Sequence, residues 1–507
     1  MSRKRAQRSI GRAAGVALLA LLVGHEAGAC ESLAHRSFGS TEIVSATVVT
    51  AGGFSLPAGS PGAAATNAAL AKLPKFCRLQ AVGRPSKDSN IGIEIWLPET
   101  DWNGRVLAVG NGAWAGSISY GALADAVAAG YAAASTDTGH VGNTVDFAIG
   151  HPEKLVDFAH RAVHEMALAA KAAVEANYSR RAERAYFSGC STGGRQALAQ
   201  AQRYPADFDG IVAGAPAYYP THIQGMQVFS AAVNASSRQP LGQREFDLLN
   251  DAALAACDTL DGVADGVLED PRACKFEPKS LVCGKGKESA CLTPAQTEVA
   301  ALTYRGPADA QGRPIFPGLA RGSERNWRTL SGDKPLSLAF DTYAQLVFGD
   351  PHWDFRTFDA ARDIPLGVQR IGPLLDSADP NLRAFVERGG KLLLYHGWAD
   401  PGIPPDGTVR YYDAVRDTLG ARTADASVRL FMVPGMGHCR GGTGTDTFNA
   451  VAALDGWVRN GVTPERIEAS RIENGKTLRT RPLCAFPKQA VYRGSGSTDD
   501  SGNFDCR

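Results

Sequence analysis

The chain has 507 residues, 44% hydrophobic and 21% charged, ordinary globular values that suit one large domain with a substantial insertion, or two domains. Its 53 basic and 52 acidic residues leave a net charge of +1, and no basic cluster beyond the N-terminus offers the footprint of a nucleic-acid partner. No later stretch is long and apolar enough to span a membrane.

Arg3, Lys4, Arg5, Arg8 and Arg12 precede an apolar run over residues 13–24 and the small-residue site Ala27-Gly28-Ala29. That is the pattern of a signal peptide over residues 1–29, too short in its apolar part to be a spanning helix. The mature chain would begin at or near Cys30, in a secreted or periplasmic setting. A cysteine directly after Ala29 also allows lipid anchoring at Cys30, although Ala27 stands where such boxes prefer leucine. The ten cysteines all lie from residue 30 onward, an even number where disulfides persist, and the sequence by itself leaves their pairing open.

Residues 41–50, with Ile43, Val44, Val48 and Val49, predict an edge strand. Strands over 76–82 and 91–97 follow, the second alternating Ile91, Ile93, Ile95 and Leu97 against Gly92, Glu94 and Trp96. Strands placed before any helix suit the antiparallel start of a mixed sheet. Residues 102–109 then read as a turn and a buried strand that opens into Gly110-Asn111-Gly112-Ala113-Trp114-Ala115-Gly116. Glycine in such a loop lets backbone N–H groups approach a substrate carbonyl with no Cβ in the way, and a plain glycine-rich turn is the alternative. A strand over 131–135 leads to Asp137 and His140, expected to order their loop rather than to catalyse. An amphipathic helix over 152–176 carries the chain onward.

Next comes Tyr186-Phe187-Ser188-Gly189-Cys190-Ser191-Thr192-Gly193-Gly194. A strand-forming lead-in, a G-x-S-x-G box and a helical run after it describe a sharp strand-to-helix turn that lifts Ser191 Oγ clear of a sheet. Ser191 is therefore the candidate nucleophile, and the N–H of the residue after it, Thr192, a candidate oxyanion donor. A further parallel strand lies at 208–216.

Between residue 218 and about 363 the alternation of strand and helix stops, so this block reads as a lid inserted over the site. Helices are expected at 245–256 and 294–304. Aromatic clusters at Trp327, Phe340, Tyr343, Phe348, Trp353, Phe355 and Phe358 suit either a pocket or the lid's own core. Within the lid, Cys257-Asp258-Thr259-Leu260-Asp261-Gly262-Val263-Ala264-Asp265-Gly266-Val267 sets three aspartates and two glycines in one loop. Such oxygen-rich spacing suits calcium as well as it suits solvated acidic turns, and it is not the EF-hand pattern.

The strand Lys391 to Gly397, which contains His396, ends in Trp398-Ala399-Asp400, and a strand over 428–433 runs into Pro434-Gly435-Met436-Gly437-His438-Cys439. A serine needs a base, and the base an acid to orient it. Ser191, Asp400 and His438 come in the chain order of α/β-hydrolases, each just past a predicted strand. Asp406 is a rival acid further from its strand end. A last helix is expected over 447–461, and the Gly/Ser-rich stretch 494–502 would be loose unless clipped.

Cys190 adjoins Ser191 and Cys439 adjoins His438. A Cys-Ser and a His-Cys pair with an Asp between them resembles the tannase and feruloyl esterase family of α/β-hydrolases, which includes the mono(2-hydroxyethyl) terephthalate hydrolases. The resemblance covers nearly the whole mature chain. It implies an α/β-hydrolase core over 30–217 and 366–507 with a lid over 218–365, and disulfides Cys30–Cys77, Cys190–Cys439, Cys257–Cys274, Cys283–Cys291 and Cys484–Cys506. It further implies structural calcium on the side chains of Asp258, Asp261 and Asp265 and the carbonyls of Val263 and Val267, Gly112 as the second oxyanion donor, and Ile403 in the acyl pocket, with His396 read as pocket lining. The activity implied is hydrolysis of small aromatic esters, feruloyl or galloyl, with a terephthalate half-ester as alternative. A catalytically dead polyphenol- or carbohydrate-binding scaffold, or a protease, would be rivals of another kind. Oligomeric state is left open.

Overall fold

The computed structural model describes residues 28–56, 70–114, 116–284, 290–329 and 335–507. The signal peptide expected over 1–29 lies, up to residue 27, outside the described residues. Ten strands form one sheet: Ser37–Phe38 (β1), Thr41–Val49 (β2), Phe76–Gly83 (β3), Ile91–Pro98 (β4), Arg105–Val109 (β5), Ala132–Thr136 (β6), Arg184–Cys190 (β7), Gly210–Gly214 (β8), Lys391–Gly397 (β9) and Val428–Val433 (β10). Their order is β1-β2-β3-β4-β6-β5-β7-β8-β9-β10. Pairing is antiparallel from β1 to the β4–β6 contact and parallel from there to β10. The expected edge strand is β2, but the two residues of β1 pair alongside it and take the edge.

The longer helices are Tyr120–Ala128 (α1), Ala162–Tyr178 (α2), Thr192–Arg203 (α3), Pro220–Ala235 (α4), Gln243–Cys257 (α5), Pro294–Arg305 (α6), Ala360–Leu375 (α7), Pro405–Leu419 (α8) and Ala450–Asn460 (α9). Residues of α2, α3 and α8 share one apolar cluster with alternate strand positions such as Ile93, Val106, Phe187 and Leu392. Those of α1 and α9 share another with the opposite positions Trp96, Leu107, Tyr186 and Leu393. Helices thus cover both faces, as a parallel sheet requires. In β4 both sets of alternating side chains are covered. Glu94 is 3% exposed and Trp96 is fully buried, and the carboxylate is held by Arg78, by Trp96 Nε1 at 2.7 Å and by the Tyr120 hydroxyl at 3.1 Å.

The chain leaves β5 toward β6 on one side and returns to β7 on the other. The loops after β5 and β7 meet at the carboxyl ends of these two strands. The helix expected over 152–176 is interrupted at Asp157–Arg161 by a wider π turn before α2 begins. That widening frees carbonyls toward α3. The fully enclosed Arg195 donates to Ala159 O (2.7 Å) and Phe158 O (3.2 Å), and Gln200 donates to His160 O (3.1 Å).

The segment between β8 and β9 carries α4 to α7 and two apolar clusters of its own, one around Phe246, Leu249, Trp327 and Phe316, the other around Tyr343, Val347 and Ile371. Most of the aromatics left undecided by the sequence belong to these cores. The boundary expected at residue 365 falls inside α7, which packs on α4, with Ile364 lying against Gly225. Past α9, two hairpins that the sequence did not suggest pair Arg466–Glu473 (β11) with Lys476–Cys484 (β12) and Ala490–Tyr492 (β13) with Phe504–Cys506 (β14).

Candidate active site

At the end of β7, Ser191 adopts φ +65° and ψ −121°, a conformation that side chains rarely enter and that contacts must hold. Its N–H donates to Gly214 O, and its carbonyl accepts from the N–H groups of Arg195 and Ala217, all at 3.0 Å. Close approach explains the glycines around it. A Cβ on Gly189 would stand 2.6 Å from the Gly193 carbonyl carbon, and one on Gly194 would stand 2.5 Å from Gly214 O. One on Gly110 would meet Gly193 Cα at 2.8 Å. The loop after β5 is therefore laid directly on the turn. Asn111 and Gln196 bond to each other twice, at 3.0 and 3.1 Å, and Thr192 Oγ1 donates to Ala113 O at 3.0 Å. Gly112 is exposed, with nothing within 4 Å of where its Cβ would be. The Thr192 N–H is in the first turn of α3, where helix geometry leaves donors free and the dipole is positive.

Asp400 follows β9 and is fully buried. Its Oδ1 accepts from the N–H groups of Gly402 (2.7 Å) and Ile403 (2.9 Å), and its Oδ2 from His438 Nδ1 (2.7 Å) and His396 Nε2 (3.1 Å). Burial opposes the charge on this carboxyl, yet the two imidazoles hold it well below the usual carboxylate range. His438, its side chain 35% exposed, is drawn down by burial and up by the charge and hydrogen bond of Asp400, and the net shift is upward. Asp406 lies in the first turn of α8 and pairs with Arg410 at 3.0 Å, so Asp400, not Asp406, is the carboxylate joined to His438.

One expectation is corrected. His396 is completely buried and has no surface to offer a substrate. Its Nδ1 accepts from the Thr408 hydroxyl at 2.7 Å while Nε2–H reaches Asp400, so it braces the acid from behind. Ile403 is also buried, 4% exposed, and joins the lid cluster of Phe246 and Trp327. Asp137 accepts from the N–H groups of Gly92 and Gly139, each at 2.8 Å, and burial pushes its carboxyl up to about 7. His140 donates to Trp114 O at 2.6 Å and stacks on Phe147. Both order loops, and His140 steadies the one that holds Gly112.

Five disulfides pair Cys30 with Cys77, Cys190 with Cys439, Cys257 with Cys274, Cys283 with Cys291, and Cys484 with Cys506, the set implied by the family resemblance. A Cys30 sulfur bound to Cys77 is not free to carry a lipid. The Cys190–Cys439 bridge spans 249 positions with Cα atoms 6.0 Å apart. It ties the turn of Ser191 to the loop of His438. The sequence model of "Tannase and feruloyl esterase" matches residues 77–507. The chain belongs to the tannase and feruloyl esterase family. An uncharacterized esterase of Xanthomonas campestris pv. campestris is 37% identical over 539 aligned positions, covering 96% of this chain and 92% of that one. A probable feruloyl esterase B-1 of Aspergillus flavus is 31% identical, covering 85% and 86%. Among solved structures, feruloyl esterase B from Aspergillus oryzae superposes with a TM-score of 0.88 at 29% identity, covering 94% of this chain and 99% of that one. The tannin acyl hydrolase from Aspergillus niger gives 0.79 at 25%, covering 94% of each. This family member is a carboxylic ester hydrolase with an α/β-hydrolase core.

In the esterase's loop after α5, Asp258 accepts from the N–H groups of Gly266 and Val267 at 3.1 and 3.2 Å, and Asp261 from Val263 at 2.9 Å. Asp265 pairs with Arg481 and Arg479 through Oδ2, while its Oδ1 is buried without a partner. A cavity of about 10 Å³, the scale of one ion or water, lies among Asp261, Val263, Asp265, Val267 and Glu269. Among the described residues no three His, Cys, Asp or Glu side chains already form a metal cage. Arg479 and Arg481 also line the cavity, but the carboxylate and carbonyl oxygens of the loop and the orphaned Asp265 oxygen are donors of the kind a hard cation takes.

Proposed function

We propose that the protein is an exported serine esterase that cleaves esters of aromatic acids, feruloyl or galloyl, through an acyl-enzyme. The observation that carries this reading is the His438–Asp400 hydrogen bond beside the disulfide that binds the base's loop to the strained Ser191 turn. Ser191 Oγ attacks the ester carbonyl and passes its proton to His438 Nε2. Asp400 fixes the tautomer and offsets the imidazolium charge. The N–H groups of Thr192 and Gly112 hold the oxyanion, each such donor typically worth about two to three orders of magnitude in rate. His438 then protonates the leaving alcohol, and water releases the acid. The names of the feruloyl esterase and tannin acyl hydrolase relatives favour phenolic acids, with Ile403 at the acyl side. Five disulfides favour an oxidising compartment.

In this reading calcium is structural. Asp258, Asp261 and Asp265 with the carbonyls of Val263 and Val267 would hold it, and it would neutralise charge in a loop that touches the base's loop, since Thr443 Oγ1 donates to Gly266 O at 3.3 Å. Ser191→Ala should abolish turnover of methyl ferulate and methyl gallate with unchanged circular dichroism, and an organophosphate should label the parent but not the variant. Retained turnover would remove Ser191 from the mechanism. A preference for the terephthalate half-ester over both methyl esters would favour that alternative.

A further inference from the structure

On the face of the sheet that carries Trp96 and Leu393, helix α1 packs on β4, β5 and β6, and α9 packs on β8 and β9. The nucleophile's strand β7 lies in the gap between them, although a parallel sheet ordinarily has both faces covered. Side chains of β7 reach this face at every second position. Tyr186 closes the gap toward the start of the strand, its hydroxyl donating to Asp455 of α9 at 2.8 Å. Beyond it come only the short Ser188 and Cys190, and α1 faces the gap with Ala122, Ala126 and Ala129. The space left over is a cavity of about 780 Å³, a volume typical of small-molecule sites.

Neither Ser191 nor His438 lines this cavity, but Cys190 and Cys439 do. It therefore borders the bridge that joins the loops of nucleophile and base. Its floor is apolar, made by Leu107 and Val109 of β5 and Val212 of β8. The lining runs from Arg105 to Gly110, about 16 Å at 3.3 Å per residue, so the cavity is a slot. Two donors that line it have no acceptor among the described residues, the Ser188 hydroxyl and the exposed Arg440 guanidinium. Asp446 also lines the slot, but it is taken up by the Gly441 N–H at 2.9 Å and the Thr447 hydroxyl at 3.1 Å. At the far end Arg105 is already paired with Asp455 at 2.9 Å, and Asp125 stands on the exposed rim of α1.

We propose that this slot is a second binding site, for a carboxylate carried on an elongated aliphatic chain. The carboxylate accepts from Ser188 Oγ and from Arg440, whose charge has no protein partner to give up. The chain lies on Leu107, Val109 and Val212, against the alanines of α1, and covers β7 as a helix would. A ligand placed there also rests on the Cys190–Cys439 bridge. None of these contacts involves the ester substrate, so the site stands apart from the acyl-enzyme reading above.

The test is calorimetric binding of decanoate to the parent, before and after organophosphate labelling, and to Arg440→Gln and Ala126→Leu. Binding should survive labelling, weaken about tenfold when the charge of Arg440 is removed, and vanish in Ala126→Leu, whose larger side chain takes the space. Decanoate should raise the Tm of the parent and not that of Ala126→Leu. Decyltrimethylammonium, with the same chain and the opposite charge, should bind more weakly. Because Arg440 is at the surface, its variant and the ammonium comparison decide the matter even where Ala126→Leu does not fold. No binding to the parent, equal affinity in the parent and Arg440→Gln, or equal affinity for the ammonium would each overturn the assignment. Loss of binding on labelling would move the ligand to the Ser191 side and overturn it too, and tighter binding of cinnamate than of decanoate would overturn the aliphatic chain.

Discussion

Asp400 receives four hydrogen bonds from three directions: two loop N–H groups, the base, and the buried His396. Asp400→Asn keeps the shape and loses the charge, so the His438 tautomer and imidazolium lose their support, and kcat should fall by roughly three to four orders of magnitude. A base works only when neutral. Because the carboxylate raises His438 above its ordinary value, the acid limb of the parent's kcat/KM profile should lie above about 6.5. In Asp400→Asn the residual activity should persist to lower pH, and a limb that does not move would separate the two groups. The stability sign is opposite at the two ends. The depressed Asp400 carboxyl contributes above the unfolded carboxylate value of about 4 and loses its contribution as pH falls toward the folded value. The raised His438 contributes below about 6.5 and loses its contribution as pH rises through its folded value. The places of Ser191, Asp400 and His438 just past strand ends were legible because each of those strands is an apolar run. His396 was misread because its burial depends on Thr408, which arrives from a later helix.

The glycines of the elbow show how two elements share one site. Gly110→Ala forces a methyl against Gly193 Cα, which must part the oxyanion loop from the nucleophile's turn. Displacement of a reacting group by about 1 Å can cost a hundredfold, so kcat on a p-nitrophenyl ester should drop by about that factor while the fold survives by circular dichroism. Removing Cys190 and Cys439 together, as alanines, opens the loop of 249 positions and could cost about 5 kcal/mol in the chain-entropy model. The nearby catalytic loops should suffer more, so activity should be lost well below the new melting temperature, and full activity at 25 °C would contradict this. Strands and helices with strong periodicity were readable within a few residues. The π turn at Asp157–Arg161 was not, because its reason is Arg195, a partner from another element. Nor were β11 and β12, whose few buried positions, Ile467, Ala469 and Leu483 among them, are scattered between charged and exposed residues.

At the scale of the molecule, the acidic lid loop is where three regions meet. Asp265 is held by Arg481, Gln489 bonds Asp270 at 3.1 Å, the Ala490 N–H bonds Glu269 at 2.8 Å, and Thr443 reaches in from the base's loop. If calcium completes the loop, chelation should loosen all three. Treatment with EGTA should lower Tm by roughly 3 °C, as expected for an ion present at about a hundred times its Kd, and should lower activity with it. Calcium should restore both and magnesium should not. An EGTA-insensitive Tm would count against the metal. The fold class was readable from the order of strands and motifs. The course of the chain around residue 365 was not, since α7 runs across it and packs on α4.

The bonds from residues 481, 489 and 490 to this loop span 216, 219 and 221 positions. During biosynthesis the loop leaves the ribosome more than two hundred residues before its clasps. All ten strands of the sheet and the whole segment between β8 and β9 precede these clasps, so the loop beside His438 is locked only by residues made after them.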